Sequence, residues 1–516
     1  MEEFVPVVYP METVKALEDY HKTKQDFLDQ ADHNATYRGN LGYETPSVYI
    51  SPDYSLTING REVPVYTTLV YIGSGEGRGA LHSYAMVEIL DSNQPLDIRL
   101  TPLSHRVTQV RTLPVFLGLD AAVDGEGEIC ASITGCGAYT FVTNSDREEI
   151  SQDTAFTLFV RPYADEEAQI EAFRSMYGRD HVLVFEPGVH YFSHINIEKD
   201  DMVLYIRRGA LLVPEHDKNV WEGHKPSEPD VCAYTSSGMN RWAVITVWRR
   251  KNIRIMGHGA IEFGRLDHEE RGCLRIAFSE AVSLEGITLL NPPGWTMMSY
   301  CTKNLSIRNV VIFGYKTNSD GFAVCNSQNV TVSDCYARSG DDLFEVKTVG
   351  STDAMPVRDV LFTNCYAWAG KARCFGLIHE TSRDVERVRF QHCAVLFRDS
   401  TWNNEILGSL MVLIGEGKGN VSDIQFEDIE IYRDSGHPIL AGNIREDQPV
   451  NRISCIVFKD IRYTADLPIL LHTPDGQAAS LEVTFEHIIA NGQPMTIASA
   501  AEAMTVSGPH IAYAIV

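Results

Sequence analysis

Three aspartates in two short polar runs are the residues of this sequence best suited to chemistry. Asp320 lies in the run TNSDGF, and Asp341 and Asp342 lie 21 and 22 residues further on in the run SGDDLFEVK. Carboxylates held close together cannot all ionise cheaply, so the pKa of one rises while its neighbours stay charged. Hydrolysis of a glycosidic bond needs both forms, because a protonated carboxyl donates to the leaving oxygen and an ionised one activates water. The aspartates are therefore candidates for acid-base hydrolysis if the fold brings them together.

A short strand motif recurs through the second half of the chain and indicates what that fold is. Each copy has two apolar residues separated by one other residue, which is the alternation of a β-strand. The second apolar position recurs after 23 to 36 residues. A fixed strand at a loosely fixed period is typical of a solenoid, so we predict an all-β fold with a right-handed parallel β-helix. The copies lie at 253–255, 282–284, 305–307, 330–332, 360–362, 388–390, 424–426, 456–458 and 483–485.

A further apolar position lies three residues after the end of each of these strands, and we predict that its side chain faces the core of the solenoid. It is filled by Ile287, Val310, Cys335, Cys365, Cys393, Ile429, Ile461 and Ile488, whereas His258 breaks the pattern in the first copy and marks a turn. A buried cysteine behaves as a small hydrophobe, so the three cysteines are interpreted as core and not as metal ligands. None of the 11 cysteines of the chain forms a CxxC pair.

The spacing of the aspartates is about one period of the predicted solenoid. Residues one period apart lie side by side, about 4.8 Å apart when both are on stacked strands. Gly340 allows a tight bend before the adjacent pair, so that both Asp341 and Asp342 can reach one face. Aspartate is also a common turn residue, and an isolated Asp-Gly would most simply cap a turn. The combination at one-coil spacing favours a site.

The rest of the chain predicts three further units before the solenoid. Residues 1–40 are interpreted as a partly helical arm, with a possible helix over 11–30. Residues 41–164 contain short alternating segments separated by turn residues, which predict an antiparallel β-sandwich. A linker helix is expected at 165–180, where Asp165 and Gly178 supply start and stop signals. The β-helix is then expected over 181–516, and the sandwich could cover one of its open ends.

Composition and charge exclude several classes of partner. The chain has 516 residues, with 44 Lys plus Arg against 69 Asp plus Glu and a formal net charge of −25. Such a charge repels nucleic acid and anionic lipid. The apolar runs are shorter than the roughly 18–20 residues of a membrane span, and the first residues lack the features of a secretory signal. We therefore expect a cytoplasmic protein with a carbohydrate substrate, no nucleic-acid or membrane partner, no metal and no cofactor, possibly a homo-oligomer.

Three runs together resemble a known enzyme family. NPPGWTMMSYCTKNLSIRNVVIF, TNSDGF and SGDDLFEVK are similar to the polygalacturonase family of glycoside hydrolases and to its relatives, the dextranase and isopullulanase family. The resemblance covers about residues 181–490 and implies a pectate-lyase-like β-helix whose catalytic domain cleaves with inversion. It implies that Asp341 is the general acid and that Asp320 and Asp342 hold and activate the water.

Two departures from polygalacturonases bear on the substrate. Those enzymes follow the aspartates with a Gly-His-Gly turn and an Arg-x-Lys that grips the galacturonate carboxylate, whereas this chain has GKARCFGLIHE at 370–380 and LMVLIG at 410–415. Two residues are candidates to replace the family histidine, namely Arg373 in its place and His379 in a related role. A sandwich before the β-helix is a feature of the dextranase and isopullulanase relatives. Both departures favour a neutral, glucan-like glycan over galacturonan.

Six further residues are candidates for substrate binding, and each has a simpler interpretation. Trp295 in NPPGWT could stack on a sugar ring, but a tryptophan packed against the coil is equally compatible with the sequence. His379 and Glu380 lie on the coil after the aspartates, where a structural role is as compatible as substrate contact. Lys347 could tune the charge of the aspartates or bind substrate. The full set is Asn318, Lys347, Arg373, His379, Glu380 and Trp295.

Other functions on a β-helix remain open from the sequence. A polysaccharide lyase or epimerase would use Arg or Lys as base, often with calcium, which acid clusters can bind. A fructan-processing enzyme, such as a fructotransferase, is another possibility. In a non-catalytic carbohydrate-binding β-helix, the aspartates would only form turns and the aromatic residues would bind the glycan.

Overall fold

The computed structural model describes most of the chain in eleven segments. They are residues 3–15, 48–72, 78–144, 155–215, 243–266, 271–349, 354–370, 372–398, 408–444, 451–475 and 480–516. Within these segments no helix is both long and apolar enough to cross a membrane.

The first unit is a β-sandwich of two sheets, as the alternating segments predict. Its larger sheet has the order β2-β3-β6-β7-β13-β12-β9, with β1 also paired to β7, and its smaller sheet has the order β10-β11-β8-β4-β5. Alternating strand residues of the two sheets form one apolar core. Short 3-10 turns lie at Met11–Thr13 and Val115–Leu117. The strands are β1 Phe4–Pro6, β2 Val14–Lys15, β3 Val48–Ile50, β4 Tyr54–Ile58, β5 Arg61–Val63, β6 Tyr66–Ile72, β7 Arg78–Ile89, β8 Leu96–Pro102, β9 Val110–Leu113, β10 Ala121–Val123, β11 Ile129–Ile133, β12 Gly137–Thr143 and β13 Phe156–Pro162.

The N-terminal arm differs from the helix predicted over residues 11–30. Residues 11–15 form the 3-10 turn and strand β2, which pairs with β3 of the sandwich. The remainder of that predicted helix lies outside the described residues.

Helix α1 (Glu166–Tyr177) connects the sandwich to the solenoid. The side chain of Asp165 accepts a hydrogen bond of 3.1 Å from the backbone N–H of Ala168, which satisfies one of the free donors of the first turn. Ile170 is the buried residue of the apolar side, and it packs on Val182 and Val203 of the first coils. The helix therefore lies on the outer surface of the solenoid where the solenoid begins.

The second unit is a parallel β-helix that extends from β14 to the end of the chain. A 3-10 turn, Arg179–His181, precedes it, and a short helix α2 (Ala500–Ala503) lies near its end. The strands are β14 Val182–Phe185, β15 Gly188–Phe192, β16 Ile195–Ile197, β17 Val203–Ile206, β18 Ala210–Pro214, β19 Ala243–Trp248, β20 Lys251–Gly257, β21 Ala260–Glu262, β22 Gly272–Ala277, β23 Glu280–Glu285, β24 Thr288–Leu290, β25 Met297–Tyr300, β26 Lys303–Arg308, β27 Val311–Phe313, β28 Phe322–Cys325, β29 Gln328–Ser333, β30 Tyr336–Ser339, β31 Phe344–Thr348, β32 Val357–Thr363, β33 Tyr366–Ala369, β34 Phe375–Thr381, β35 Val385–Arg398, β36 Gly408–Glu416, β37 Val421–Asp434, β38 His437–Asn443, β39 Arg452–Ala465, β40 Ile469–His472, β41 Ser480–Glu486, β42 Ile489–Ala490, β43 Gln493–Pro494, β44 Met504–Ser507 and β45 Ile511–Ile515.

Each coil contributes strands to three faces. The first face contains β20, β23, β26, β29, β32 and their successors, the second contains β21, β24, β27, β30 and β33, and the third contains β22, β25, β28, β31, β34 and β36. All nine predicted strand motifs lie on the first face. Their second apolar residues pair in one continuous parallel register from Ile255 to Phe485. The predicted fold class is therefore confirmed.

The predicted inward positions form the core of the solenoid. All eight, from Ile287 to Ile488, are at most 2% exposed and belong to one apolar cluster. Cys335, Cys365 and Cys393 occupy three of these positions on successive coils. Beside them, the rings of Phe362, Phe390 and their successors stack with centroids 4.6–5.6 Å apart. Burial of such side chains is the main stabilising contribution to the coil.

Replacing Cys365 by Val tests the interpretation of the cysteines as core. Because valine is apolar and of similar volume, we expect the free energy of unfolding to change by less than about 1.5 kcal/mol. Chemical denaturation of the wild type and the variant measures the difference. A loss of more than about 3 kcal/mol, the range of a truncated core side chain, would contradict the interpretation.

The sandwich packs along the side of the solenoid and not over an open end, which corrects the expectation from sequence. Its larger sheet shares an apolar cluster with the second face, in which Tyr84 and Phe313 have ring centroids 5.0 Å apart. Polar contacts cross the same interface, for example from Arg161 to the carbonyl of Gly286 at 2.6 Å. The apolar outer residues of the second face explain the arrangement, because they would otherwise meet water. In the described part of the chain, the apolar contacts of the sandwich are with the second face and not with the strands of the third.

Candidate active site

The candidate site lies at one edge of the third face. The turns that connect the second face to the third span residues 291–296, 314–321 and 340–343 on three successive coils, and residues 370 and 372–374 belong to the equivalent turn of the fourth coil. Each turn ends where a third-face strand begins. Since those strands stack in parallel register, the residues just before them meet along one edge.

Trp295, Asp320, Asp342 and Arg373 occupy equivalent positions in these four turns. Each lies two residues before the first residue of the third-face register that joins β25, β28, β31 and β34. Main-chain hydrogen bonds of 2.7–3.1 Å connect the turns to one another. The stacked coils therefore place one aromatic, two acidic and one basic residue in a row.

Three carboxylates converge in this row. Asp320, Asp341 and Asp342 each offer one carboxylate oxygen, and these oxygens all lie within 4.8 Å of one another. The residues are 2%, 7% and 2% exposed. Asp341 accepts backbone hydrogen bonds from Asp342 at 2.9 Å and from Asn318 at 3.1 Å. A side chain at Gly321 would come within 2.4 Å of a backbone oxygen, so only glycine permits this close approach of the turns.

Arg373 supplies a positive charge to one of the three carboxylates. Its Nη1 donates to both oxygens of Asp342 at 3.1 Å, and its Nη2 lies 2.6 Å from Nε2 of His379. Charge-assisted hydrogen bonds of this kind are strong and fix the orientation of a carboxylate. Burial lowers the pKa of His379, and the charge of Arg373 lowers it further. The imidazole is therefore neutral at neutral pH and accepts from the guanidinium.

Lys347 supplies the second positive charge and is shared. Its Nζ lies 3.7 Å from Asp320, 3.7 Å from Asp342 and 3.5 Å from Glu380. Its shortest contact is to Glu345, at 2.8 Å. Burial alone would lower the pKa of this lysine, but the surrounding carboxylates outweigh it and hold the pKa well above its ordinary value.

Burial and mutual repulsion separate the protonation states of the aspartates. Burial, followed by the charge of Asp342, raises the pKa of Asp341 to about 7. Burial and the neighbouring charge of Asp341 raise the pKa of Asp320 well above its ordinary value. The cluster can thus hold a protonated Asp341 beside an Asp342 that is paired with Arg373, which is the combination that acid-base hydrolysis requires.

All nine residues singled out from the sequence lie in this one region, but Trp295 and Asn318 contribute differently from what the sequence predicts. Trp295 is only 5% exposed, and Nζ of Lys347 lies 4.5 Å from the centroid of its ring. It therefore does not offer an open face for a sugar to stack on. Asn318 contacts the cluster through its backbone N–H and adopts a left-handed φ of 58°, which asparagine tolerates well.

His379 and Glu380 reach the site through an irregularity in strand β34. Its register with β31 shifts between Val346 and Thr348, and His379 has a φ of 57°. The extra residues bring Glu380 to Lys347 and His379 to Arg373. A regular strand would have carried one of the two neighbours to the opposite side.

Sequence reasoning missed Glu345. It lies between Asp342 and Lys347, is fully buried, and contacts the ammonium group of Lys347. The alternation of strand β31 was the available signal, because Phe344 and Val346 are inward apolar residues and so Glu345 and Lys347 must share the outer side.

Part of the chain is similar in sequence to a known family of glycoside hydrolases. Residues 263–488 match the sequence profile of Glycosyl hydrolases family 28. A probable polygalacturonase from Vitis vinifera is 25% identical over 242 residues, which cover 43% of this chain and 47% of that protein. The matched part thus spans less than half of that relative.

Two solved structures have a similar fold. Dex49A from Penicillium minioluteum aligns over 91% of this chain and 95% of its own, with 11% identity and a TM-score of 0.54. The polygalacturonase from Erwinia carotovora ssp. carotovora aligns over 66% of this chain and 94% of its own, with 16% identity and a TM-score of 0.50. At these identities the likeness concerns the fold alone.

Fold and site together define a parallel β-helix with a buried aspartate cluster. Residues 263–488 carry a segment similar to family 28 of the glycosyl hydrolases, and the solenoid shares its fold with solved β-helix enzymes.

Proposed function

We propose that this protein hydrolyses glycosidic bonds, with Asp341 as general acid and with Asp320 and Asp342 holding and activating the attacking water. The observation that carries the proposal is the convergence of three buried carboxylates, one of which has a pKa of about 7. Asp341 donates its proton to the leaving oxygen. Asp342, fixed by Arg373, accepts the proton that the water loses, and Asp320 helps to hold the water through a hydrogen bond.

We propose that cleavage inverts the anomeric configuration. Asp342 already accepts from Arg373 with both oxygens, so it is better suited to hold water than to attack the sugar directly. The oxygens of the cluster lie within 4.8 Å, closer than the roughly 6.5–9.5 Å usual between acid and base in inverting enzymes. The similarity of residues 263–488 to family 28, whose members resemble this chain in the aspartate motifs, therefore carries this part of the proposal. NMR of the newly formed anomer tests it, and a retained configuration would overturn it.

The charges of the site support a neutral glycan as substrate. Among the described residues, the cations in contact with the cluster are Lys347 and Arg373, and both are engaged by carboxylates of the protein. Within that part of the chain neither is left over for a uronate carboxylate, which would lie beside the acidic cluster, and like charges at short range are costly. The Vitis vinifera relative is called a polygalacturonase, so this proposal separates the chain from it.

Comparing neutral oligosaccharides with oligogalacturonates tests the substrate class. Because an uncompensated carboxylate is disfavoured, we expect kcat/KM for the best neutral oligosaccharide to exceed that for oligogalacturonate by about 10²-fold or more. Reducing ends released at equal substrate concentration measure the ratio. A preference for oligogalacturonate would contradict the proposal. Turnover should persist in a chelator and release no unsaturated product, and the opposite result would favour a lyase.

A further inference from the structure

Glu345 is the most deeply buried acid beside the aspartates. It lies on the outer side of strand β31 and is 0% exposed. Its neighbours in register on the adjacent coils are Ala323 and Gly376. Both are small, so the Glu345 side chain can occupy the space above these two positions on the outer side of the sheet. Among the described residues, neither carboxylate oxygen accepts a well-formed hydrogen bond, and the ammonium group of Lys347 is the nearest cation.

The charges around Lys347 do not balance if every acid is ionised. Three carboxylates besides Glu345 lie within 4 Å of its Nζ, namely those of Asp320, Asp342 and Glu380. Asp341 adds a further acid, and Arg373 is the other cation that contacts the cluster among the residues that the structure describes. Unpaired charges are costly in a buried site, so protons must neutralise part of this excess.

Glu345 is well placed to hold one of these protons. An ionised carboxylate is stabilised by several N–H donors. Among the described residues, the nearest donor to Glu345 is the ammonium group of Lys347, which it shares with Asp320, Asp342 and Glu380, whereas Asp342 also accepts from Arg373. Glu345 lies 2.8 Å from Nζ of Lys347, whereas Asp320 and Asp342 lie 3.7 Å from it. An ionised Glu345 would therefore attract the ammonium group more strongly than the two aspartates do. A protonated carboxyl would still contact the ammonium group through its carbonyl oxygen while leaving that charge to the aspartates.

We propose that Glu345 is a positioning residue that carries a proton at neutral pH and fixes the ammonium group of Lys347 between Asp320 and Asp342. This inference rests on the proposed function, because Lys347 then supports the two aspartates that hold the water. Burial raises the pKa of Glu345 to about 8 and outweighs the opposing charge of Lys347, in agreement with this role.

Two substitutions distinguish the effect of the contact with Lys347 from the effect of the charge on Glu345. Glu345→Gln keeps the shape and an oxygen that can face Lys347, whereas Glu345→Ala removes the contact. At about pH 6, where Asp341 keeps its proton, we expect the Ala variant to lose roughly tenfold or more in kcat with little change in KM, and the Gln variant to recover most of that loss. Equal losses in the two variants, or full kcat in the Ala variant, would overturn the proposal.

Glu427 provides the matched control. It forms a Glu-Lys pair with Lys459 on the first face, at 2.6 Å and away from the aspartates. Glu427→Gln and Glu427→Ala should leave kcat per folded molecule unchanged. A fall like that of the Glu345 variants would mean that loss of any Glu-Lys pair has this effect, and would overturn the role given to Glu345.

A second measurement does not depend on turnover. Glu345 is protonated in folded and unfolded chains below its ordinary value of 4.5, whereas between 4.5 and about 8 only the folded chain holds its proton. Its contribution to stability is therefore lost as pH rises through this window. We expect Tm to fall less steeply from pH 5 to 8 in Glu345→Gln than in the wild type. Equal slopes would overturn the proposal, whereas a wild type that cleaves no glycan would refute only the proposed function.

Discussion

Replacing Asp341 by Asn is expected to lower kcat by about 10²- to 10⁴-fold, the usual contribution of a positioned general acid. The amide keeps the shape of the side chain, but its single oxygen can accept only one of the two backbone hydrogen bonds that reach the two oxygens of Asp341 from Asn318 and Asp342. It cannot donate a proton to a leaving oxygen. Glycan affinity should change little, and the lost backbone hydrogen bond should lower the free energy of unfolding by about 1–3 kcal/mol. Initial rates on the best oligosaccharide substrate, together with thermal unfolding, measure both effects.

Asp359→Asn is the control for this prediction. Asp359 also lies at a turn-like position, with a φ of 57°, but it pairs with Arg387 on the first face. Its substitution should leave turnover unaltered. Undiminished turnover in the Asp341 variant would exclude Asp341 as the acid. A substrate with a highly acidic leaving group should suffer a much smaller loss in the variant, because such a group departs without protonation.

Replacing Arg373 by Lys is the second large expected effect. Lysine keeps the charge but has a single nitrogen, so it cannot hold Asp342 and His379 at once in one rigid plane, and the carboxylate of Asp342 loses its fixed orientation. We expect kcat to fall by about 10²-fold, since small displacements of a catalytic group cost that much. The lost charge-assisted hydrogen bond should lower the free energy of unfolding by about 1.5–3 kcal/mol. Steady-state kinetics corrected for the folded fraction separate the two effects.

Arg398→Lys provides a matched control for Arg373. Arg398 forms another buried arginine-aspartate pair, with Asp434, and both residues are 0% exposed. This variant should lose a similar amount of stability while kcat per folded molecule is retained. If the Arg373 variant likewise lost only stability, the orientation of Asp342 would not matter for turnover, and the role given to Arg373 would be wrong.

The solenoid could be predicted because each coil repeats the same short sequence pattern. A strand with two apolar residues, followed three residues later by an inward position, recurs from residue 253 to 488 and pairs in register throughout. That register also made the convergence of Asp320 with Asp341 and Asp342 predictable, since their spacing equals one coil. Both inferences used only periodicity, which sequence displays directly.

The missed features depend on contacts that periodicity does not encode. The sandwich packs on the side of the coil because the outer residues of the second face are apolar, and their partner could not be identified from spacing. Trp295 is buried because Lys347 from two coils away covers its ring. The register shift near His379 depends on a single residue with positive φ, which leaves no repeating signal.

The row formed by Trp295, Asp320, Asp342 and Arg373 has a consequence for how such a protein can diverge. Each member comes from a turn on a different coil, while the coil cores beneath are built separately from strand residues. Insertions within one turn can therefore alter the shape around the carboxylates without disturbing the stacking. Loss or duplication of a whole coil between residues 291 and 374 would instead separate groups that work together. Variation in turn length is thus tolerated here, whereas the number of coils across the site is constrained.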